Sequence, residues 1–201
     1  MENDPKQSLF ELIDLVRGYS NIYRGSYLPS RVNQIQAEPG SKIFRESVAD
    51  HVGALPIVAA YLYPYLNEDL DIGKVLTMLA IHDIGEITVG DVLTVTRSKT
   101  QDEINNEQRA ALSLLHPVYI SLYEEYEGYE TTESKFAHSI DKISPNLYEL
   151  IIDKDIAQAR YEHFGFDIIE AVKKDRSKME WNKFLLEFYD ELISQIEARF
   201  H

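Results

Sequence analysis

His82 and Asp83 close an apolar run made of Val75, Leu76, Met78, Leu79, Ala80 and Ile81, and Gly85-Glu86 and Gly90-Asp91 follow. A helix that is apolar on nearly every side is a buried helix. Buried ionisable groups are costly unless they are paired, hydrogen-bonded or bound to a metal. His51 upstream and Asp141 downstream offer further lone pairs, so His51, His82, Asp83 and Asp141 are candidate metal ligands. Imidazole combined with carboxylate suits Mn, Fe, Co, Ni or Zn better than Ca or Mg. His82 and Asp83 are adjacent, about 100° apart around a helix, so they meet at one ion only at a helix end or bend. Gly85 supplies such an end. Glu86 lies one turn beyond His82 on the same face, placed to act beside an ion rather than to bind it.

Each of these residues also has a plainer explanation. A lone His on an apolar face, such as His51, is commonly a core or capping residue. Asp83 can be an ordinary last-turn residue, although a negative charge there opposes the helix dipole. Asp141 with Lys142 reads most simply as a surface pair. Positions that break a local rule tend to be functional, which favours chemistry at Asp83, but spacing alone leaves both accounts open. His116, His138 and His163 are expected to be structural or solvent-facing, His201 is terminal, and the acidic run 124–130 reads as a solvated helix end.

The elements that must position these groups read as all-helical, because no alternating apolar run makes a convincing strand and Gly and Pro are sparse, at 9 and 7. Ser8 to Tyr19 has the spacing of an amphipathic helix. The stretch Asn21 to Ser47 is irregular and locally basic, with Arg24, Arg31, Lys42 and Arg45; long loops of this kind tend to be functional. Ser47 with Asp50 predicts a capped start for a helix over 48–66 that carries His51 and is kinked at Pro56 and Pro64. Thr100 with Glu103 predicts a capping box opening a long helix towards Tyr126, kinked at Pro117. A helix over 132–144 follows, then a fresh one from Ser144-Pro145 to about Phe164. Ser177 with Glu180 is expected to open the last helix, whose stripe is Trp181, Phe184, Leu185, Phe188, Leu192 and Ile196.

At 201 residues the chain is expected to be one domain, 1–201, with a sizeable core. It has no Cys, which removes disulfides, thiolate metal sites and a cysteine nucleophile. No secretory signal and no bilayer-length apolar run are evident, so a cytoplasmic protein without a membrane partner is expected. Net charge is −14, from 34 acidic and 20 basic residues, which argues against a long nucleic-acid partner. A small anionic substrate stays open, because a metal ion and one or two Arg can reverse the field locally. No G-x-S-x-G and no phosphate-cradling Gly-rich loop is present.

Four blocks in order, SVADH at 47–51, IHDIGE at 81–86, GD at 90–91 and IDK at 140–142, resemble the HD-domain phosphohydrolases. The match is nearest the branch that contains the 5'-deoxyribonucleotidases, and it covers about residues 45–145. The resemblance implies an all-α helical bundle with the metal site between central helices. It implies His51, His82, Asp83 and Asp141 as ligands of one divalent ion, with Mn, Co or Zn first and Fe, Ni or Mg as alternatives. Glu86 and Asp91 match catalytic acids, and Asp91, Val92, Leu93 and Thr94 match a segment that contacts the nucleotide. Arg31, in Leu-Pro-Ser-Arg, matches the Arg that orients the substrate phosphate, with Arg45 the second choice. Val32 stands where relatives often carry Trp, and the interval from Arg31 to His51 is longer than usual. The implied activity is metal-dependent release of phosphate from nucleoside, especially deoxyribonucleoside, 5'-monophosphates. Another small phosphoester as substrate, or a non-catalytic metal- and nucleotide-binding module, are the alternatives. Homodimerisation is common in such relatives and is the expected assembly.

Overall fold

The structure, a computed structural model, describes residues 5–22, 46–92, 94, 97–151 and 154–200. Among them the regular elements are helices only. They run α1 (Pro5–Asn21), α2 (Val48–Leu62), α3 (Ile72–Ile81), α4 (Glu86–Val89), α5 (Gln101–Leu114), α6 (Ile120–Gly128), α7 (Thr132–Ile151), α8 (Lys154–Phe164), α9 (Ile168–Lys174) and α10 (Lys183–Phe200). Three 3-10 turns, Tyr63–Tyr65, Pro117–Tyr119 and Asp175–Met179, join them.

The centre of the bundle is the mutual packing of α2, α3 and α7. Each brings a fully buried apolar face: Leu55 and Ala59 from α2, Val75, Met78 and Leu79 from α3, and Phe136, Ala137, Ile140 and Ile143 from α7. α10 and the turn before it cover the far side of α7, with Met179, Leu185 and Tyr189 fully buried. A smaller cluster of Ile84, Ala111, Leu115 and Tyr123 lies under α1, with Leu15 and Tyr19 packed on it. The Tyr19 hydroxyl donates to the Ala80 carbonyl at 3.2 Å, and the Val48 N–H donates to the Ile22 carbonyl at 2.8 Å, so α1 is tied both to α3 and to the start of α2.

Local signals account for several helix ends. Ser47 and Asp50 form the reciprocal capping box of α2, and Thr100 and Glu103 form that of α5. Asp71 caps α3 by accepting from the Lys74 N–H at 3.1 Å. The prolines behave differently from expectation. α2 ends at Leu62, and Pro64 opens a 3-10 turn rather than kinking a longer helix. The helix expected to reach Tyr126 breaks at Leu115 and His116, both extended, because the residue before Pro117 is pushed out of the helical region.

Pro145 does the opposite. α7 runs unbroken from Thr132 to Ile151, so the fresh start expected at Ser144-Pro145 is not seen. The buried face on either side of Pro145 holds the helix together, and tertiary burial outweighs the lost hydrogen bond. The cap of α10 is Asn182 rather than Ser177: its Oδ1 accepts from the Leu185 N–H, and its Nδ2 donates to the Leu66 carbonyl at 3.0 Å. α3 is also less uniformly buried than its sequence suggests, since Ala80 is exposed and Leu76 and Ile81 are half-buried.

Candidate metal centre

The central helices carry the candidate ligands at one end of their shared core. His51 sits in the first turn of α2, where the Ser47 capping box holds the helix start, and is fully buried. His82 caps the C-terminal end of α3, and Asp83 lies in the turn that follows. Asp141 lies midway along α7 and is buried. Packing of α2, α3 and α7 therefore brings together four side chains that are up to 90 residues apart in sequence.

The donor atoms converge. His51 Nε2 is 3.1 Å from Asp141 Oδ1 and 3.7 Å from Asp83 Oδ2. His82 Nε2 is 3.1 Å from Asp83 Oδ2 and 3.6 Å from Asp141 Oδ1. Ligands about 2.1 Å from one ion are separated by about 3.0 Å in octahedral cis geometry and about 3.4 Å in tetrahedral geometry, so these spacings are compatible with a shared divalent ion. His82 Nδ1 donates to the Leu79 carbonyl at 3.0 Å, so Nε2 is the ring nitrogen turned to the carboxylates. This bond fixes the orientation of the ring. The Glu46 carboxylate lies 3.7 Å from His51 Nδ1, on the other side of that ring.

Electrostatics agree with a site built for positive charge. Burial lowers the His82 pKa, yet the Asp83 charge, with bonds to Asp141 and Asp83, overcomes it and pushes the value up to about 10. Burial raises Asp83, but the two imidazoles outweigh it and hold the carboxyl below its ordinary range. Asp141 is likewise held well below, its burial outweighed first by the Lys142 ammonium 2.9 Å away and then by the imidazoles. Asp141 with Lys142 is thus an ion pair, but a buried member of the cluster rather than a surface pair.

Glu86, in the first turn of α4, is buried; its carboxylate, with those of Asp83 and Glu107, offers donor atoms all within 4.8 Å of one another. Gly85 has ordinary helical backbone angles, so its value lies in closeness rather than in a left-handed exit. A Cβ there would fall 2.4 Å from the Glu107 carbonyl oxygen of α5. The left-handed glycine of this segment is Gly90, with φ 79°, which turns the chain towards the buried Asp91. Val92 is half-buried and Thr94 exposed, and the Thr94 carbonyl accepts from Lys174 Nζ at 3.3 Å. Arg31, Arg45 and Leu93 lie outside the described residues.

A cavity of about 180 Å³ opens beside His82, Asp83 and Asp141. Its walls include several residues with no local sequence signal, notably Lys99, Glu107, Tyr123 and Tyr126. Lys99 and Glu107 form a close ion pair at the mouth. Burial lowers the Lys99 pKa, but Glu107, and behind it Glu86 and Asp83, raise it overall, so its ammonium stays charged. His138 also lines the cavity, one turn before Asp141 on the same face of α7, and that spacing is the signal that marks it. Its ring stacks on Tyr126 at 4.1 Å between centroids, Nε2 meets the Tyr126 carbonyl at 2.9 Å, and burial lowers its pKa to about 4. His116 is structural as expected, with Nδ1 capping the Val118 N–H.

Fold and site together define an all-helical protein whose packed helices gather a buried His and Asp cluster that can hold a divalent ion. Residues 38–183 match the HD-domain family, and the chain belongs to it. Two 5'-deoxynucleotidases named HDDC2 are similar in sequence. The Xenopus laevis protein is 31% identical over 154 residues, 72% of this chain and 69% of its own length. The Bos taurus protein is 27% identical over 105 residues, and the chain spans about half of it, 49%. A crystal structure described as a predicted metal-dependent phosphohydrolase from Magnetospirillum magnetotacticum MS-1 superposes with a TM-score of 0.71 at 25% identity, over 96% of this chain and 94% of that one. A conserved hypothetical protein from Pyrococcus furiosus, 23% identical with a TM-score of 0.64 over 94% and 99% of the two chains, shares the fold.

Proposed function

We propose that this chain is a divalent-metal-dependent phosphohydrolase that releases phosphate from nucleoside 5'-monophosphates, deoxyribonucleotides among them. The observation that carries the proposal is the buried convergence of His51, His82, Asp83 and Asp141, with inter-residue donor distances of 3.1–3.7 Å, directly beside the Glu86 carboxylate. The similarity to the two deoxynucleotidases supports the nucleotide as substrate.

In this reading His51, His82, Asp83 and Asp141 hold the ion through two neutral imidazole Nε2 atoms and two ionised carboxylates. A bound divalent ion supplies charge to polarise a phosphoryl oxygen and makes water a better nucleophile near neutral pH. The protein residues do the rest. Glu86 accepts a hydrogen bond from the attacking water and orients it for in-line attack, taking its proton as the new P–O bond forms and the P–O bond to the nucleoside breaks, the departing 5'-oxygen leaving as a hydroxyl with a proton from solvent. Lys99 balances the Glu107 charge, so that Glu107 adds little negative field beside Glu86. Asp91, turned inward by Gly90, meets the sugar or the leaving-group oxygen. Arg31, or Arg45 in its place, clamps the phosphate with two parallel N–H donors and stabilises the charge that develops.

Phosphate release, measured over nucleoside monophosphates and sugar phosphates and crossed with Mn, Co, Zn, Ni and Mg, tests the proposal. Turnover of deoxynucleoside monophosphates that is abolished by a chelator and restored by metal is the expected result. A tightly bound nucleotide with no turnover under any metal would overturn it in favour of a binding module.

A further inference from the structure

Lys99 is held at the cavity beside the metal cluster by a short segment that is locked on both sides. Arg97 spans both carboxylate oxygens of Glu103, each at 2.7 Å, and donates to the Ser98 carbonyl at 3.0 Å. The same Glu103 accepts from the Thr100 N–H at 2.8 Å within the capping box of α5. Lys99 lies between these two anchors, and its half-buried side chain turns inward to Glu107. α5 is in turn pressed on the turn that carries the site, since a Cβ at Gly85 would strike the Glu107 carbonyl. Arg97, Glu103 and the cap already fasten the segment to α5 on the exposed side. The inner pair of Lys99 with Glu107 is therefore more than a fastener.

Its position puts a cation next to the candidate ligands. Glu107 offers an oxygen within 4.8 Å of oxygens of Asp83 and Glu86, and Lys99 grips Glu107. The ammonium thus stands one carboxylate away from Asp83, and it lines the same cavity as His82, Asp83 and Asp141. An ammonium has three N–H donors. Glu107 takes one, and no other acceptor among the described residues meets it, so two donors are left for a group that enters the cavity. A compact ammonium on a flexible stem suits a tetrahedral oxyanion, and its head can lean towards one while the backbone stays fixed. Glu107 keeps that head in place beforehand, which lowers the entropy lost when an anion is bound.

We propose that Lys99 is a phosphate-binding residue, whose ammonium donates to a non-bridging oxygen of the phosphoryl group at the metal cluster while it stays bonded to Glu107. The inference rests on the phosphohydrolase reading for placing that phosphoryl group. Lys99 holds and orients the group and transfers no proton. Glu107 is a positioning residue that acts through Lys99.

Calorimetric binding of inorganic phosphate, a deoxynucleoside 5'-monophosphate and the deoxynucleoside without phosphate provides the test. The metal-loaded parent is compared with Lys99→Gln, Lys99→Arg and Glu107→Gln, and the metal content of each is measured. Lys99→Gln should bind phosphate and the monophosphate about tenfold or more weakly at parent metal content, with deoxynucleoside affinity unchanged. Lys99→Arg should regain most of that loss. Glu107→Gln should bind phosphate at least as tightly as the parent, because it keeps the ammonium and removes a negative neighbour. A purely structural pair predicts the opposite, since both Gln variants break the same contact and should lose affinity alike. Equal losses in the two Gln variants, a change below about threefold in Lys99→Gln, or loss of its metal would each overturn the assignment. Phosphate bound through Lys99 by a chain that hydrolyses no phosphate ester would overturn the hydrolase reading and leave the role of Lys99 standing.

Discussion

Replacing Gly85 by Ala sets two effects of opposite sign against each other. With φ −63° and ψ −30°, Gly85 has the backbone of an ordinary helical residue. In open space an Ala there would stabilise by about 0.4–1 kcal/mol, because it restricts the unfolded chain. The space is not open. The new Cβ would stand 2.4 Å from the Glu107 carbonyl oxygen and 3.1 Å from its Cγ, where an ordinary contact is 3.4 Å or more. The near obstacle is main chain in α5, so α4 and α5 must separate by roughly 1 Å. Overpacking of this kind costs about 1–3 kcal/mol, which exceeds the entropic gain. Net destabilisation of about 1–2 kcal/mol should appear as a lower urea midpoint at unchanged slope, and as a fall of about 2–8 °C in Tm. Gly53→Ala is the control: its Cβ would meet nothing within 4 Å inside α2, and it should gain about 0.5–1 kcal/mol. Gly85→Ala as stable as the parent, or more so, would refute the claim that close approach to α5 is what requires glycine there. Because the shift moves Glu86 and Glu107 apart, turnover should fall further than stability does.

Other outcomes are equally definite. Asp83→Ala should abolish binding of Mn or Co, read by metal content after gel filtration, and activity with it, whereas Glu86→Gln should keep the metal and lose about 10²–10⁴-fold in turnover. His138 is neutral when folded, with a pKa of about 4 against 6.5 unfolded, so its contribution is complete above pH 6.5 and drains away as pH falls towards 4, by about 3 kcal/mol at most. His138→Gln should flatten the urea-stability profile between pH 7 and 5, and an unaltered profile would remove His138 as its cause. Asn182→Ala, which leaves the buried Leu66 carbonyl and the Leu185 N–H without these bonds, should cost about 1–3 kcal/mol in the same measurement.

Where the sequence was legible, a local physical rule was acting alone. The Ser47 and Thr100 capping boxes could be read because each needs only residues three apart. The candidate site could be read at His82 and Asp83 because ionisable groups at the end of an apolar helix break a rule that can be seen locally. The prolines were misread because their effect depends on what packs around them. Around Pro117 residues 116–119 are exposed and nothing buried carries the helix on, while Pro145 is carried through by Ile140 and Ile143 in the core. Lys99 and Glu107 were invisible for a related reason. Nothing in their own segments marks them, and they join the site only because Gly85 lets α5 come so near.

The proposed ligands come from α2, from the end of α3 and from α7, which are also the helices that share the main core. Without an ion, two ionised carboxylates and two imidazoles must be kept together at the point where those helices meet. Ion binding to the folded chain alone then adds to stability by mass action, about 4 kcal/mol when free metal stands a thousandfold above its dissociation constant. That is a large share of the 5–15 kcal/mol that is typical of a folded domain. The consequence concerns lifetime rather than catalysis. In a cell starved of its metal, this protein would be lost first to proteases that clear opened chains, so its abundance would report metal supply before its activity did.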